Sequence, residues 1–273
     1  MPETVSSARS ELADPRRFLA EAARDLRRSL GVGWHLFRAN LRARHRRSLL
    51  RYLWLVLPAA AATAICVYLQ SRRIFGIGGT ELPYAVHVLA GMVLWQVFVD
   101  SLNAPLQQLW GARPMITRSR VPHEAILLAG AYEVALNALV RLAALAAVLA
   151  AFAIVPAPSA LLLPVGMAAL ALLGFALGLL AAPLGLLYDD VRQGLLLIAG
   201  FWFFLTPIIY PAAESGLLRL NPVTPLLETS RSWITAGGIG GGFMLVAGLA
   251  AIMLVAAWLF YRLARPHVVA RLG

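Results

Sequence analysis

The chain has 273 residues, 60% of them hydrophobic and only 14% charged, with a mean hydropathy of +0.74. An ordinary soluble domain is about 45 to 50% apolar and about 25% charged, so this composition excludes one and makes the bilayer the solvent to reason with. All 24 basic residues are arginine, against 13 acids, for a net charge of +11; without lysine there can be no G-x-x-x-x-G-K-S/T phosphate loop, so the chain carries no P-loop ATPase of its own.

Residues 1–51 form a region of their own. Between Asp14 and Arg51, apolar residues such as Phe18, Leu26, Trp34 and Phe37 recur among arginines at helical intervals. That pattern predicts an amphipathic helix along the membrane surface, or two helices broken at Gly31 and Gly33. The region does not look like a cleavable signal, because its basic stretch is not followed promptly by an apolar core and a small-residue cleavage site.

Apolar stretches of spanning length then predict six transmembrane helices: Tyr52 to Leu69, Tyr84 to Ala104, Ala125 to Val155, Ala160 to Tyr188, Leu195 to Tyr210 and Phe243 to Tyr261. The fold class expected is therefore an all-α polytopic membrane protein with a transmembrane domain over 52–261 and a tail over 262–273. The fifth stretch is short and has Pro207 near its end. It leads into 211–242, which is too apolar for a plain loop and too interrupted by Pro and Gly for a further span, and which reads as re-entrant. Six spans put both termini on one face. That face receives the twelve arginines before Tyr52 together with Arg113, Arg118, Arg120, Arg192, Arg262, Arg265 and Arg271, while the other has only Arg72, Arg73, Arg219 and Arg231. The positive-inside rule places both termini in the cytosol.

Arg141 falls inside the third span, where an unpaired charge costs several kcal/mol. Glu133, Asn137 and Arg141 are spaced by four and share one helix face, and Asp100 on the second span is a candidate counter-ion. This stripe is either a lock between two helices or part of a polar path. Gly174, Gly178 and Ala182 form a ladder of small residues on the fourth span, which permits close helix approach, and Pro183 follows in the same span. Tyr188, Asp189, Asp190, Val191 and Arg192 make a charged elbow. The five histidines are scattered without metal-ligand spacing, and no G-x-S-x-G elbow occurs, so catalysis has no visible machinery. The lone Cys66 excludes an internal disulfide and a cysteine metal cluster. Aromatic residues near the expected membrane edges, among them Trp95, Phe98, Trp202, Phe203, Tyr210 and Trp233, form either an interfacial belt or the lining of a passage in which ring faces stack on sugars.

Several stretches, in order, resemble the permease subunits of type 2 ABC exporters that move lipid-linked polysaccharides such as O-antigen and teichoic acid. RHRRSLLRYLW (44–54) is similar to the family's basic entry to its first span, LAGMVLWQVF (89–98) to its Gly and Trp-x-x-Phe pattern, and SRVPHEAIL (119–127) to its Pro-Arg-Glu segment. LYDDVRQ (187–193) stands where the family has Arg-Asp. FFLTPIIYP (203–211) resembles its Ser-Pro-x-x-Tyr-Pro element, and LNPVTPLLETSR (220–231) its Asn-Pro followed by an acid and an Arg. The sequence departs from the family at Arg51 for Gly, His123 for Arg and Asp189 for Arg, with Arg192 one turn away from the last.

The resemblance implies a permease without a cofactor of its own, in the bacterial inner membrane. ATP and magnesium belong to a separate nucleotide-binding ATPase, two copies of this chain form the passage, and nucleic acid is not a partner. It implies a coupling helix within about 105–122, with Trp110, Arg113, Arg118 and Arg120 facing the ATPase, and an outward gate over about 211–242. Arg44, Arg46, Arg47 and Arg51 are then placed to bind the diphosphate of a polyprenyl-linked substrate, since guanidinium pairs with phosphate in bidentate fashion and stays charged. Open alternatives are the same architecture carrying capsule polysaccharide, a drug or a small lipid, a membrane-embedded lipid-processing enzyme, and a membrane scaffold without transport.

Overall fold

The computed structural model describes residues 15–45, 50–72, 82–118, 121–211 and 220–272, and every regular element among them is helical. They are α1 (Pro15–His45), α2 (Arg51–Ser71), α3 (Tyr84–Gly111), α4 (Arg113–Arg118), α5 (His123–Ala151), α6 (Leu163–Leu187), α7 (Asp189–Phe204), α8 (Val223–Ser232) and α9 (Gly241–Leu272), with 3-10 turns at Pro158–Leu162 and Trp233–Thr235. Five helical stretches are long and apolar enough to cross a membrane: Tyr52–Ser71, Tyr84–Gly111, His123–Ala151, Pro158–Leu187 and Gly241–Arg271. The protein is a polytopic all-α membrane protein.

The predicted fifth span takes a different form. Asp189 and Asp190 start α7 six residues earlier than the apolar run suggests, because carboxylates in a first turn suit the positive end of the helix dipole. The helix stops after 16 residues at Phe204, and 16 residues at about 1.5 Å each give about 24 Å, short of the ~30 Å hydrocarbon core. Non-helical chain follows and packs closely on α3: a Cβ placed on Gly91, in the first third of α3, would lie 2.9 Å from the Ile208 carbonyl oxygen. The expected re-entrant stretch contains α8, whose Val223, Leu226 and Leu227 are buried with Trp233 and Ile234. Its residues 212–219 lie outside the described residues.

α3 is the central element, with most of its length buried, and α6 packs along it at backbone distance. A Cβ on Gly174 would sit 2.5 Å from the Phe98 carbonyl oxygen, one on Gly178 would run into the carbonyl of Leu102, and Ala182 is fully buried. The small-residue ladder is thus the α3–α6 contact. Pro105 cannot donate to the carbonyl one turn before it, yet α3 runs on to Gly111. Of the segment 105–122, residues 105–111 belong to α3 and Arg113–Arg118 form α4.

The N-terminal helix is unbroken through Gly31 and Gly33. A Cβ on Gly33 would lie 2.8 Å from the Cβ of Leu128 and 3.0 Å from the carbonyl of Ala125; this glycine lets α1 seat on α5 instead of breaking the helix. Trp34 packs edge-on against Tyr132 at 5.4 Å and Phe37 joins the same cluster. α9 continues well past the predicted end of the last span, carrying Arg262 and Arg265 beyond it on the same helix.

Candidate functional site

Three polar sites interrupt the apolar bundle. The first lies between α3 and α5. Arg141 Nη1 donates to Asp100 Oδ2 at 2.7 Å, Asn137 Nδ2 reaches the same oxygen at 3.3 Å, and Gln108 Nε2 donates to Glu133 Oε2 at 2.8 Å. The structure therefore brings Asp100, Glu133, Asn137 and Arg141 into one ladder, and adds Gln108. Arg141 is buried, while the Asp100 side chain keeps 29% of its exposure. Arg141 Nε is buried without a hydrogen bond.

The second is built where α7 ends. A helix terminus leaves four carbonyls without intrahelical partners. Here each is met. Leu205 N and Thr206 Oγ1 donate to the Trp202 carbonyl, Thr206 N to that of Phe203, and the Tyr210 hydroxyl to that of Phe204 at 2.8 Å. Asn221 Nδ2 donates to the Leu205 carbonyl at 3.1 Å and to Thr206 Oγ1 at 2.9 Å, while its Oδ1 accepts from Trp202 Nε1 at 2.9 Å and from Val223 N at 3.0 Å. Arg231 Nη1 then donates to the Pro207 carbonyl at 3.1 Å. Burial pushes the Arg231 guanidinium down to about 10, opposed by Glu228, and pushes the Glu228 carboxyl up, opposed by Arg231. The stretches FFLTPIIYP and LNPVTPLLETSR are thus each other's hydrogen-bond partners.

The third joins α3, α4, α6 and α7 at the arginine-rich end. The Arg113 guanidinium stacks 3.2 Å from the centre of the Trp110 ring, Arg192 approaches the same ring at 5.2 Å, and Arg113 Nη2 donates to the carbonyl of Leu186 in the last turn of α6. Burial lowers the pKa of Arg113, with the Asp189 carboxylate opposing the shift and Arg192 adding to it. The acid at the position where the resemblance expects arginine therefore favours the charged form of Arg113. Nearby, Arg262 of α9 donates to Asp25 of α1 at 2.6 Å and to Glu124 of α5 at 3.2 Å, and His123 pairs with the Tyr261 hydroxyl at 2.9 Å. The SRVPHEAIL stretch thus ties α1 to the bundle through Glu124 and Arg262.

No family model matches the chain. The sequence is 24% identical over 243 residues to the O-antigen export system permease protein RfbA of Myxococcus xanthus, covering 86% of this chain and 92% of that protein. The chain is a relative of an O-antigen export permease. The match leaves only 14% of this chain and 8% of that protein outside it.

Some expected site residues are placed otherwise than expected. Trp95, Phe98 and Trp233 are buried in the core of this permease relative and cannot present a face to a passage beside the chain. Trp95 packs on Phe98 at 5.2 Å and on Phe203 at 6.0 Å, Phe98 on Trp202 at 5.4 Å, and Trp233 on Phe243 at 5.2 Å. Trp202, Phe203 and Tyr210 remain partly exposed, and Phe201 and Phe204 expose about 70% of their surface on α7. Arg46, Arg47 and Arg120 lie outside the described residues, and Arg44, Arg51 and Arg118 are located by backbone alone, at the ends of α1, α2 and α4. Sequence reasoning missed Asn221 and Arg231 as fastenings; their position after the broken fifth span was the available signal.

Proposed function

We propose that this chain is the membrane-spanning permease subunit of an ABC exporter for O-antigen-like, lipid-linked polysaccharide. The observation that carries the reading is similarity to an O-antigen export permease along nearly the whole chain. The lack of lysine, which leaves no P-loop, supports placing ATP hydrolysis in a separate nucleotide-binding subunit. Two copies form the passage in the inner membrane, with both termini in the cytosol. That topology fits an α7 whose crossing is finished by Thr206–Pro211.

The substrate divides into a greasy tail, a charged diphosphate and a long glycan. Arg44, Arg46, Arg47 and Arg51, between the surface helix and the first span, bind the diphosphate, because guanidinium forms paired charge-assisted bonds with phosphate oxygens. The glycan moves past the partly exposed rings of Trp202, Phe203 and Tyr210. α4 and the Trp110–Arg113–Arg192 stack receive the ATPase, with Arg118 and Arg120 beside them. Because the stack ties the ends of α3, α4, α6 and α7, movement of α4 is passed to the helix that bears the gate. ATP-driven closure of the partner shifts the pair between states through its different affinity for each. Replacing the four arginines with glutamine abolishes polysaccharide export in cells while the protein still inserts to normal levels; undiminished export contradicts the diphosphate assignment.

A further inference from the structure

On α5, on α6, and on α9 as far as Phe260, every fully exposed position among the described residues is alanine, glycine, proline or a larger apolar side chain. α3 differs. From Gln96 to Trp110, the side chains it leaves exposed or half-buried are Gln96, Val99, Asp100, Gln107, Gln108 and Trp110. Gln96, Asp100, Gln107 and Trp110 follow one another at steps of four, seven and three, so they share one helix face. That face turns away from α6, whose Gly174 and Gly178 approach Phe98, Ser101 and Leu102 on the opposite side of α3. Gln96 and Asp100 stand near the middle of this spanning helix. From Gln96 to Gln107 the stripe rises about 17 Å at 1.5 Å per residue, about half of the ~30 Å hydrocarbon core.

The chemistry of the stripe selects its neighbour. Polar side chains in mid-membrane are costly against lipid and face protein or a water-filled path. Helices that meet closely in a membrane do so through small residues, as α6 does on α3, whereas this face carries long glutamines. A phosphate finds no free cation here, because the Arg141 guanidinium beside the stripe is buried and paired with Asp100 at 2.7 Å. Neutral hydrogen bonding remains: each glutamine amide offers two donors and an acceptor, and a carboxylate has room for about four donors, of which Asp100 uses two, on Arg141 and Asn137. Donors and acceptors side by side match hydroxyl groups. The stripe is also continuous with the partly exposed rings, since Trp95 and Phe98, beside Gln96, pack on Phe203 and Trp202, while Trp110 at its other end carries Arg113.

We propose that this face of α3 borders a water-filled passage and hydrogen-bonds the hydroxyls of the carbohydrate in transit, with Gln96 and Asp100 as mid-membrane contacts and Gln107 nearer the arginine-rich end. The stripe serves the part of the path between the Trp110 stack and the rings of Trp202 and Phe203. Flexible, uncharged amides suit a polymer that has to slide, because each bond is readily exchanged for one to water or to the next hydroxyl, and passage requires contacts weak enough to leave. The carbohydrate contact rests on the cargo proposed above; the hydration of this face does not.

The test uses the full chain, with Cys66→Ala as background, in the membranes of cells that carry it and make their own surface polysaccharide. A charged, membrane-impermeant methanethiosulfonate reacts with Gln96→Cys at least tenfold faster than with Ile252→Cys, which lies on the exposed apolar face of α9. Equally slow reaction at both positions overturns the proposal; cross-linking of Gln96→Cys to a second copy without reaction with the reagent overturns it too, by showing a protein contact. In the same cells, Gln96→Leu combined with Gln107→Leu lowers surface polysaccharide at least tenfold at an unchanged protein level. Gln96→Asn combined with Gln107→Asn, which keeps both amides, retains most of it. Full export by the leucine variant overturns the carbohydrate contact. Reaction at Gln96→Cys as expected, in cells whose surface polysaccharide survives deletion of the chain, counts against the proposed cargo and supports the hydrated face.

Discussion

Arg141→Leu strands Asp100, which now accepts from both Arg141 and Asn137. Removing one partner of a buried pair costs about 3–5 kcal/mol, whereas replacing both with apolar groups is often close to neutral. Thermal unfolding in detergent should therefore show a large loss for Arg141→Leu and recovery of most of it in the double variant with Asp100→Leu; a double variant as unstable as the single one would show that the pair does more than lock α3 to α5. Asn221→Ala removes the donor to the Leu205 carbonyl and the acceptor for Trp202 Nε1 and Val223 N. Each buried group left unpaired costs about 1–3 kcal/mol, so hydrogen exchange at the Val223 amide should accelerate by tenfold or more, with amides in the middle of α3 unaffected. The Arg141 pairing was legible in the sequence, because a charge inside an apolar span needs a partner and the available acids were few. The role of Asn221 was not: apart from the Val223 amide, its partners lie 15 to 19 residues away, beyond the reach of any helical spacing rule.

At the scale of elements, glycines with the same local sequence signal do opposite things. A Cβ on Gly178 meets the backbone of Leu102, which cannot give way, while one on Gly194 meets nothing within 4 Å. Gly178→Ala should force α6 from α3 and destabilise by about 1–3 kcal/mol or more, and Gly194→Ala should stabilise α7 by up to about 1 kcal/mol through helix propensity; measured unfolding temperatures that moved the same way for both would contradict the packing described. Hydropathy located the long helices well, since the bilayer demands a continuous apolar run with satisfied backbone. It could not locate the end of α7, because a run of apolar residues looks the same whether its backbone bonds are made inside a helix or, as after Phe204, by Tyr210, Asn221 and Arg231. The same blindness affected aromatics: Trp95 in the core and Phe201 on the surface are equally apolar in a sequence window.

For the whole molecule, the three polar sites sit where two elements would otherwise move independently. One locks α3 to α5, one replaces the missing last turns of α7, and one binds α4 to the ends of α3, α6 and α7, with Arg262 holding α1 to the same end. Apolar packing of α3 with α6 supplies the rigid centre, so a push on α4 is delivered to α7 and its non-helical end instead of being absorbed locally. Such an arrangement suits a chain that is driven from outside itself. The most direct test of that claim is nucleotide turnover, measured on the purified chain alone and again in complex with a nucleotide-binding ATPase subunit and lipid-linked glycan. No turnover by the chain alone, and turnover in the complex that rises with added glycan, is the expected result; ATP hydrolysis by the isolated chain, or a complex indifferent to the glycan, would contradict it.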